Sequence, residues 1–451
     1  MTDQHRADQT RAGQTRADQT RADHRSRLRF LVRSAATLAS TSVVTAGLGF
    51  VYWAVAARSF PATAVGEAST AIAAMSLIAP LTLLGLGTLL VSELPTMREG
   101  RSTLVSTAAL VSAIAAGAVA LVAALLLPGE FLGLPGVGNQ PVVAVIFAAA
   151  VATQCVGLLL DQALLSVAGG GVQLRRNLVQ AVVKLALLVV LALTMARFGA
   201  LAIFCSWLAA NVASLIFAAV LLMRRYNVPL RRLVPVPSAL HGLHVDAARH
   251  HVLNTALLVP YFAMPIVANV ILGSERAAYF YAAWSVAGFV FFLPLSLSTA
   301  LFASGARDSR TFLMEFGKTI RYSLLACTAA TLVIFALGRG VLGIFGADYA
   351  DYGYPALIVL CLGGLGLVIK DHHVALARVT DDVGREALLV GILSVVELVG
   401  ASIGATRGGL TGLAFGWLVA VGLGAVVYMP RVWRAYRGRV DVAARVSGAG
   451  L

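Results

Sequence analysis

Residues 103–127 read TLVSTAALVSAIAAGAVALVAALLL, a run without a charged side chain. A helix needs about 20 apolar residues to cross the hydrocarbon core of a bilayer, so this run predicts a transmembrane helix. Similar runs lie on both sides of it, separated by short polar breaks. The predicted spans are 31–53, 65–92, 103–127, 141–167, 177–195, 199–223, 251–272, 277–304, 319–337, 354–377, 386–405 and 409–429. The fold class expected is therefore an all-α polytopic membrane protein of about twelve transmembrane helices.

The composition of the chain agrees with this prediction. Of the 451 residues, 59% are hydrophobic and only 12% are charged, whereas soluble domains have roughly 45–50% apolar and about 25% charged residues. So little polar surface cannot cover a water-soluble body of this length. The four cysteines (Cys155, Cys205, Cys327 and Cys361) lie in apolar runs without metal-site spacing, so we expect packing roles and neither metal nor cofactor.

The net charge of +14 is distributed as a topology signal. With the N-terminus inside, the inner segments hold 28 of the 35 Lys and Arg residues and the outer loops hold five. Cytoplasmic loops carry such an excess, so we predict a plasma (inner) membrane protein with both termini in the cytoplasm. The basic residues collect between apolar runs rather than on an aromatic-interleaved surface, and no nucleic-acid partner is expected.

The chain also predicts two homologous halves. At a shift of 210 residues, Asp161 faces Asp371, Arg175 faces Arg385, and Trp207-Leu208 faces Trp417-Leu418. Six spans per half make the repeats parallel, and transporters built in this way hold substrate near the midplane between the halves. The predicted organisation is a disordered Arg-rich pentapeptide tail (1–29), a six-helix bundle (30–223), a cytoplasmic linker (224–250), a second six-helix bundle (251–430) and a basic cytoplasmic tail (431–451) around a central cavity.

Two stretches resemble a known family. Ala57-Arg-Ser-Phe-Pro-Ala-Thr-Ala-Val-Gly-Glu-Ala68 and Ala79-Pro-Leu-Thr-Leu-Leu-Gly-Leu-Gly87 look like the first two helices of bacterial Wzx-type polysaccharide flippases. These flippases belong to the multidrug/oligosaccharidyl-lipid/polysaccharide exporter superfamily. The segment from Leu272-Gly-Ser-Glu-Arg-Ala-Ala-Tyr279 to Pro294 is similar to the family's seventh and eighth helices. The resemblance covers most of residues 30–430.

The resemblance implies two six-helix bundles in a V and a flippase that moves a polyprenyl-diphosphate-linked oligosaccharide from the inner to the outer leaflet. The expected partners are this lipid-linked oligosaccharide, membrane lipids, an H+ or Na+ gradient and other membrane proteins of polysaccharide assembly. A cation-coupled multidrug or small-molecule exporter of the same superfamily stays an alternative. An integral-membrane polysaccharide enzyme is a second alternative, although the outer loops are short and no Asp-x-Asp cluster occurs.

Ionisable residues within spans are the first candidates for function. Such residues cost about 2.5–3.5 kcal/mol to insert and usually face a cavity or a partner. Lys184 is interpreted either as a fixed cation for a diphosphate or acidic sugar, or as a lysine that snorkels to the interface. Glu397 is either a protonatable carboxylate that couples transport to a cation gradient or a neutral acid bonded between helices. Arg58 and Glu67, near the outer face, either shape the cavity mouth or are ordinary interfacial residues.

A second set of candidates lies toward the predicted inner ends of the spans. Asp161 and Asp371 form either a pair at an inner gate, with Arg175 and Arg385 as partners, or structural ion pairs that cap equivalent helices. Lys370 points about 100° away from Asp371 on a helix and cannot simply neutralise it.

Three further residues complete the candidate set. His373 is a titratable member of the gate or coupling set; the metal motif that Asp371-His372-His373 suggests lacks its strand and acidic ligands, so no metal is expected. Pro80 and Pro294 fall inside spans and are predicted to kink them.

Overall fold

The computed structural model describes residues 44–438, except for residues 84, 98, 135, 169, 227–235, 237–244, 306–308 and 381. The predicted tail 1–29, most of the predicted linker 224–250 and the residues after 438 lie outside the described part of the chain. Within that part the chain is helical and has no strand. The helices are α1 (44–59), α2 (Ala62–Leu81), α3 (Leu86–Glu93), α4 (Arg101–Leu126), α5 (Gly129–Leu132), α6 (Pro141–Ala168), α7 (Gly170–Thr194), α8 (Gly199–Tyr226), α9 (Val245–Leu272), α10 (Ser274–Gly305), α11 (Ser309–Gly343), α12 (Ala347–Val379) and α13 (Val383–Tyr436).

Ten of the described helices are long and apolar enough to cross a membrane. One of them, α13, consists of two arms because the backbone leaves helical geometry at Gly408 and Gly409, where Gly409 has φ 60°. Glycine adopts this left-handed conformation at little cost, which allows the chain to reverse there. Counting both arms of α13 and adding α1 gives twelve, and the prediction of an all-α protein with about twelve spans is confirmed.

Two details of the predicted spans take a specific form. The 3₁₀ helix Ala196–Phe198 separates α7 from α8 and consists of the three residues between the fifth and sixth predicted spans. The second predicted span, 65–92, is divided: α2 ends one residue after Pro80, and α3 begins beyond the left-handed Gly85. Pro294, in contrast, lies inside α10, which continues past it to Gly305.

The helices pack in two groups that follow the order of the chain. In the first half α4 packs on α6, α7 on α8, and α2 on α6 and α8; in the second half α13 packs on α9 and α12, and α10 on α11 and α12. The groups meet mainly where α2 contacts α9 and α10. The exact boundaries of the two bundles stay a prediction, since α9 begins at Val245, within the predicted linker, and α13 continues to Tyr436.

Candidate functional site

Two adjoining cavities lie at the centre of the protein. The smaller, of about 500 Å³, is bordered by α1, α7 and α8 of the first half and by α9 and α10 of the second. The larger, of about 580 Å³, lies mostly within the second half, between α9, α10, α12 and α13. We call them the cross-half cavity and the C-terminal cavity. Tyr261, Gly288 and Phe292 border both, so the two spaces share a wall.

Lys184 supplies the charge of the cross-half cavity. Its side chain, 7% exposed, projects from α7 into the wall of this space. The ammonium lies 3.8 Å from the ring centroid of Trp207 and 4.9 Å from that of Tyr52. The Tyr52 hydroxyl lies 2.8 Å from Ser206 Oγ and donates to the Ile203 carbonyl at 3.1 Å, which holds that ring in place.

The surroundings of Lys184 favour an anion. None of the described residues that line the cross-half cavity is an Asp or Glu, and aromatic rings make up most of the rest of its wall. Cation–π contacts of this kind contribute about 0.5–2 kcal/mol, far less than the cost of removing an ammonium ion from water. A ligand that brings negative charge therefore gains more here than a neutral or cationic one.

The C-terminal cavity contains a buried ion pair. Lys370 Nζ lies 2.7 Å from Glu397 Oε1, and the other carboxylate oxygen accepts a hydrogen bond from Trp417 Nε1 at 3.1 Å. Lys370 is 7% and Glu397 3% exposed. The pair joins α12 to the first arm of α13, and Trp417 belongs to the second arm. The sequence analysis did not predict this ion pair, because 26 residues lie between Lys370 and Glu397.

Two more charged side chains border the same cavity. Asp371 follows Lys370 on α12 and is half-buried. Arg378 donates to Asn254 Oδ1 at 2.7 Å and lies 5.8 Å from the Phe302 ring centroid. With one acid for each base, the described charges of the C-terminal cavity balance, unlike those of the cross-half cavity.

Asp161 does not pair with the arginine expected from the sequence. Its two carboxylate oxygens accept bonds from Arg176 at 2.8 and 2.7 Å, and Arg176 also donates to Ser214 Oγ at 3.2 Å. Arg175 is exposed, and so is Arg385 in the second half. Consecutive helical residues point about 100° apart, so only one of Arg175 and Arg176 faces α6. Asp161 thus belongs to a polar network inside the first half, whereas its counterpart Asp371 faces a cavity.

His373 belongs to a separate cluster between α12 and α13. Its Nε2 lies 2.6 Å from Glu386 Oε2, and Arg431 also contacts the Glu386 carboxylate. Arg431 donates to Thr380 Oγ1 at 2.7 Å. The His373 ring is 4.3 Å from that of Tyr428. The described residues contain no group of three or more His, Cys, Asp or Glu side chains that could hold a metal ion.

Arg58 connects the two halves at one end of the bundle. It extends from the end of α1, where its guanidinium donates to the carbonyls of Gly343 at 2.7 Å and Ile344 at 2.8 Å. On the same side, Asn269 Nδ2 donates to the Glu130 carbonyl at 2.7 Å. We call this side the Arg58 end. Glu67, also on this side, is half-buried on α2 and lines neither cavity.

The sequence reasoning missed the aromatic part of the site. Trp207 and Trp417 carried the evidence for duplication, yet each also contacts a charged group of its own half. Each is the ninth residue of its predicted span, the sixth and the twelfth, and these matched positions were a usable signal. Tyr52 carried no such signal, because its role depends on α7 and α8 packing next to α1.

Comparisons with known proteins agree with this architecture. Residues 31–245 match the polysaccharide biosynthesis protein family. No curated protein sequence matches the chain. An inward-facing multidrug resistance MATE family transporter of the MOP superfamily is similar in structure, with a TM-score of 0.63 and 16% identity over 87% of this chain and 96% of that one.

Two further solved structures show the same fold. The lipid II flippase MurJ in an inward closed conformation has a TM-score of 0.64 and 11% identity, and the match covers 88% of both chains. A MOP superfamily transporter from Pyrococcus furiosus has a TM-score of 0.59 and 15% identity over 89% of this chain and 96% of that one. At these identities the likeness establishes the fold.

Proposed function

We propose that this multi-pass membrane protein moves a polyprenyl-diphosphate-linked oligosaccharide across the plasma membrane. The family match over residues 31–245 and the structural neighbours support a polysaccharide flippase and exporter family. The two halves rock about the central cavities so that these open alternately to each side. The charged loops and both termini are assigned to the cytoplasm by the Lys and Arg distribution.

The observation that carries this proposal is Lys184. A buried ammonium without a described carboxylate beside it lines a cavity between the halves of a transporter fold. A diphosphate supplies the missing negative charge, and the surrounding rings offer apolar faces to the sugar next to it. The two adjoining volumes of about 500 and 580 Å³ fall in the range of about 300–1,000 Å³ usual for ligand sites.

The same charge distribution weighs against the alternatives. A transporter of cationic drugs needs an uncompensated acid in its cavity, but Asp371 and Glu397 both share the C-terminal cavity with a cation. An enzyme would need a catalytic constellation, whereas the structural neighbours are transporters and a flippase. We assign Glu397 to the coupling of this movement to a cation gradient, because it is a buried carboxylate in the wall of the C-terminal cavity.

The test begins with deletion of the gene, followed by analysis of the polyprenyl-diphosphate-linked glycans at the inner leaflet. We expect an accumulated glycan and loss of the matching surface polymer. Wild type and Lys184→Arg should restore the polymer, Lys184→Met should not, and the matched control Lys318→Met, at an exposed lysine of α11, should restore it. Normal polymer in the deletion strain would refute the flippase and turn attention to small-molecule export.

A further inference from the structure

Lys370 and Glu397 occupy the wall of a cavity that adjoins the proposed cargo site. The cross-half cavity with Lys184 and the C-terminal cavity with Lys370 share Tyr261, Gly288 and Phe292. Aromatic side chains line both cavities, so the proposed cargo would stay in contact with them on a route between the two walls. Each wall holds one buried lysine that borders this route, and only the lysine at the C-terminal cavity has a described carboxylate as its partner.

The internal repeat makes the difference between the two lysines informative. Trp207 and Trp417 occupy matched positions. Trp207 lies under the Lys184 ammonium, and Trp417 donates to Glu397, the carboxylate of the Lys370–Glu397 ion pair. In the second half the Glu397 carboxylate bridges Lys370 and the Trp417 indole, with one oxygen for each donor. In the first half none of the described residues that line the corresponding space around Lys184 and Trp207 is an Asp or Glu. The second half therefore holds a carboxylate beside its lysine and tryptophan, and the described lining of the cross-half cavity holds none.

A carboxylate and a phosphate are alternative partners for the same donors. Both present oxygens to an ammonium and to an N–H group, and a doubly charged diphosphate forms the stronger charge-assisted bonds. We propose that Lys370 and Trp417 form a second anion subsite for the phosphate groups of the cargo, and that Glu397 masks this subsite until it is protonated. The inference rests on the proposed function, because it needs an anionic cargo in the cavities.

The groups around Glu397 make it the position where a proton changes the site. Lys370 on α12 and Trp417 on the second arm of α13 contact it directly. Asp371 on α12 and Tyr428 on the second arm are close enough to interact with its charge. Protonation of Glu397 removes the charge that holds Lys370, so the ammonium becomes available to cargo. Release of cargo restores the ion pair, and the proton leaves. Proton uptake and anion binding at this wall are thereby linked.

The experiment measures binding of farnesyl diphosphate to the purified full-length protein at fixed pH by isothermal titration calorimetry. Glu397→Gln retains hydrogen-bonding capacity but frees Lys370, and we expect about tenfold tighter binding. The double variant Glu397→Gln/Lys370→Met should lose that gain. Asp371→Asn is the matched control, because it removes a negative charge from the same cavity wall but leaves the Lys370–Glu397 pair in place. A melting temperature for each variant reports on folding.

A pH series separates masking from general electrostatics. Wild-type affinity should rise toward that of Glu397→Gln as the pH falls, and the difference between the two proteins should vanish once Glu397 is protonated. Equal affinity of wild type and Glu397→Gln at every pH, or equal gains for Glu397→Gln and Asp371→Asn, would overturn the subsite. If Lys184→Met binds farnesyl diphosphate like wild type while Glu397→Gln still gains tenfold, the subsite stands and the Lys184 site of the proposed function fails.

Discussion

Removal of the Arg58 side chain should open the Arg58 end of the protein. The guanidinium extends from the first half and donates to the carbonyls of Gly343 and Ile344 in the second half. The proposed alternating access requires the halves to separate at this end, and separation breaks both hydrogen bonds. Arg58→Ala removes them from the closed state alone and therefore shifts the population toward the state open at this end.

The size of the shift follows from the two contacts. Hydrogen bonds from a charged donor contribute about 1.5–3 kcal/mol each when they are well shielded. Arg58 is exposed, so solvent reduces the combined contribution to about 1–2 kcal/mol. Since about 1.4 kcal/mol is a factor of ten in an equilibrium constant, the ratio of open to closed protein should rise roughly 5- to 30-fold.

Cysteine labelling measures this ratio. Ser285 lines the cross-half cavity, so Ser285→Cys, in a protein whose four native cysteines are replaced, reports access from each side. A membrane-impermeant maleimide added at the Arg58 side should label the Arg58→Ala protein faster by about the same factor. Gly66→Ala should act in the same direction, because its added Cβ would overlap the Ser274 carbonyl, where α2 meets α10.

The matched control is Arg339→Ala at the same end. Arg339 forms an exposed ion pair with Asp351 at 2.6 Å, but both residues belong to the second half. Its removal should leave the labelling rate unchanged. If Arg58→Ala labels no faster than Arg339→Ala, Arg58 is a surface contact without influence on access, and the reasoning is wrong.

Two further predictions concern stability. Gly404→Ala should lower the Tm, because its new Cβ would overlap the Gly412 carbonyl of the facing arm of α13. Such overpacking lowers the free energy of unfolding by about 1–3 kcal/mol. In the control Gly391→Ala the new Cβ has nothing within 4 Å, so the Tm should stay unchanged or rise. Asp161→Asn should lower the free energy of unfolding by about 3–5 kcal/mol, since it leaves the buried Arg176 without its carboxylate. The control Arg175→Gln changes an exposed position, so its free energy of unfolding should stay within about 0.5 kcal/mol of wild type in the same thermal-unfolding assay. Equal Tm values within either pair would contradict the packing or the pairing described above.

The spans were predictable because the bilayer imposes a local rule. Every backbone polar group in the hydrocarbon must be bonded within its own helix, so a run such as 103–127 can form nothing else. The same rule placed the turn near Arg407, where the structure has the break at Gly408 and Gly409. This rule did not predict the division of the second span after Pro80. Whether a helix kinks or ends at a proline depends on which groups pack around the backbone carbonyl that loses its hydrogen bond.

The candidate site was predictable as a list of residues but not as a set of contacts. Lys184, Lys370 and Glu397 stood out because ionisable groups inside spans are costly and need a cavity or a partner. The packing of α12 against α13 brings Lys370 to Glu397. The packing of α7 against α8 places Lys184 over Trp207. The pairing of Asp161 with Arg176 instead of Arg175 followed from a rotation of 100° on one helix.

The sequence by itself indicated that this chain is helical and crosses the membrane about twelve times, and it predicted that the two halves are repeated. Hydropathy, charge distribution and a fixed shift of 210 residues are properties that each segment carries independently of its neighbours. Only the tertiary structure decided which charges are neutralised and which are left facing a cavity. That outcome depends on the rotation and spacing of helices far apart in sequence, and it placed the buried Lys184 in a cavity wall where none of the described lining residues is an Asp or Glu.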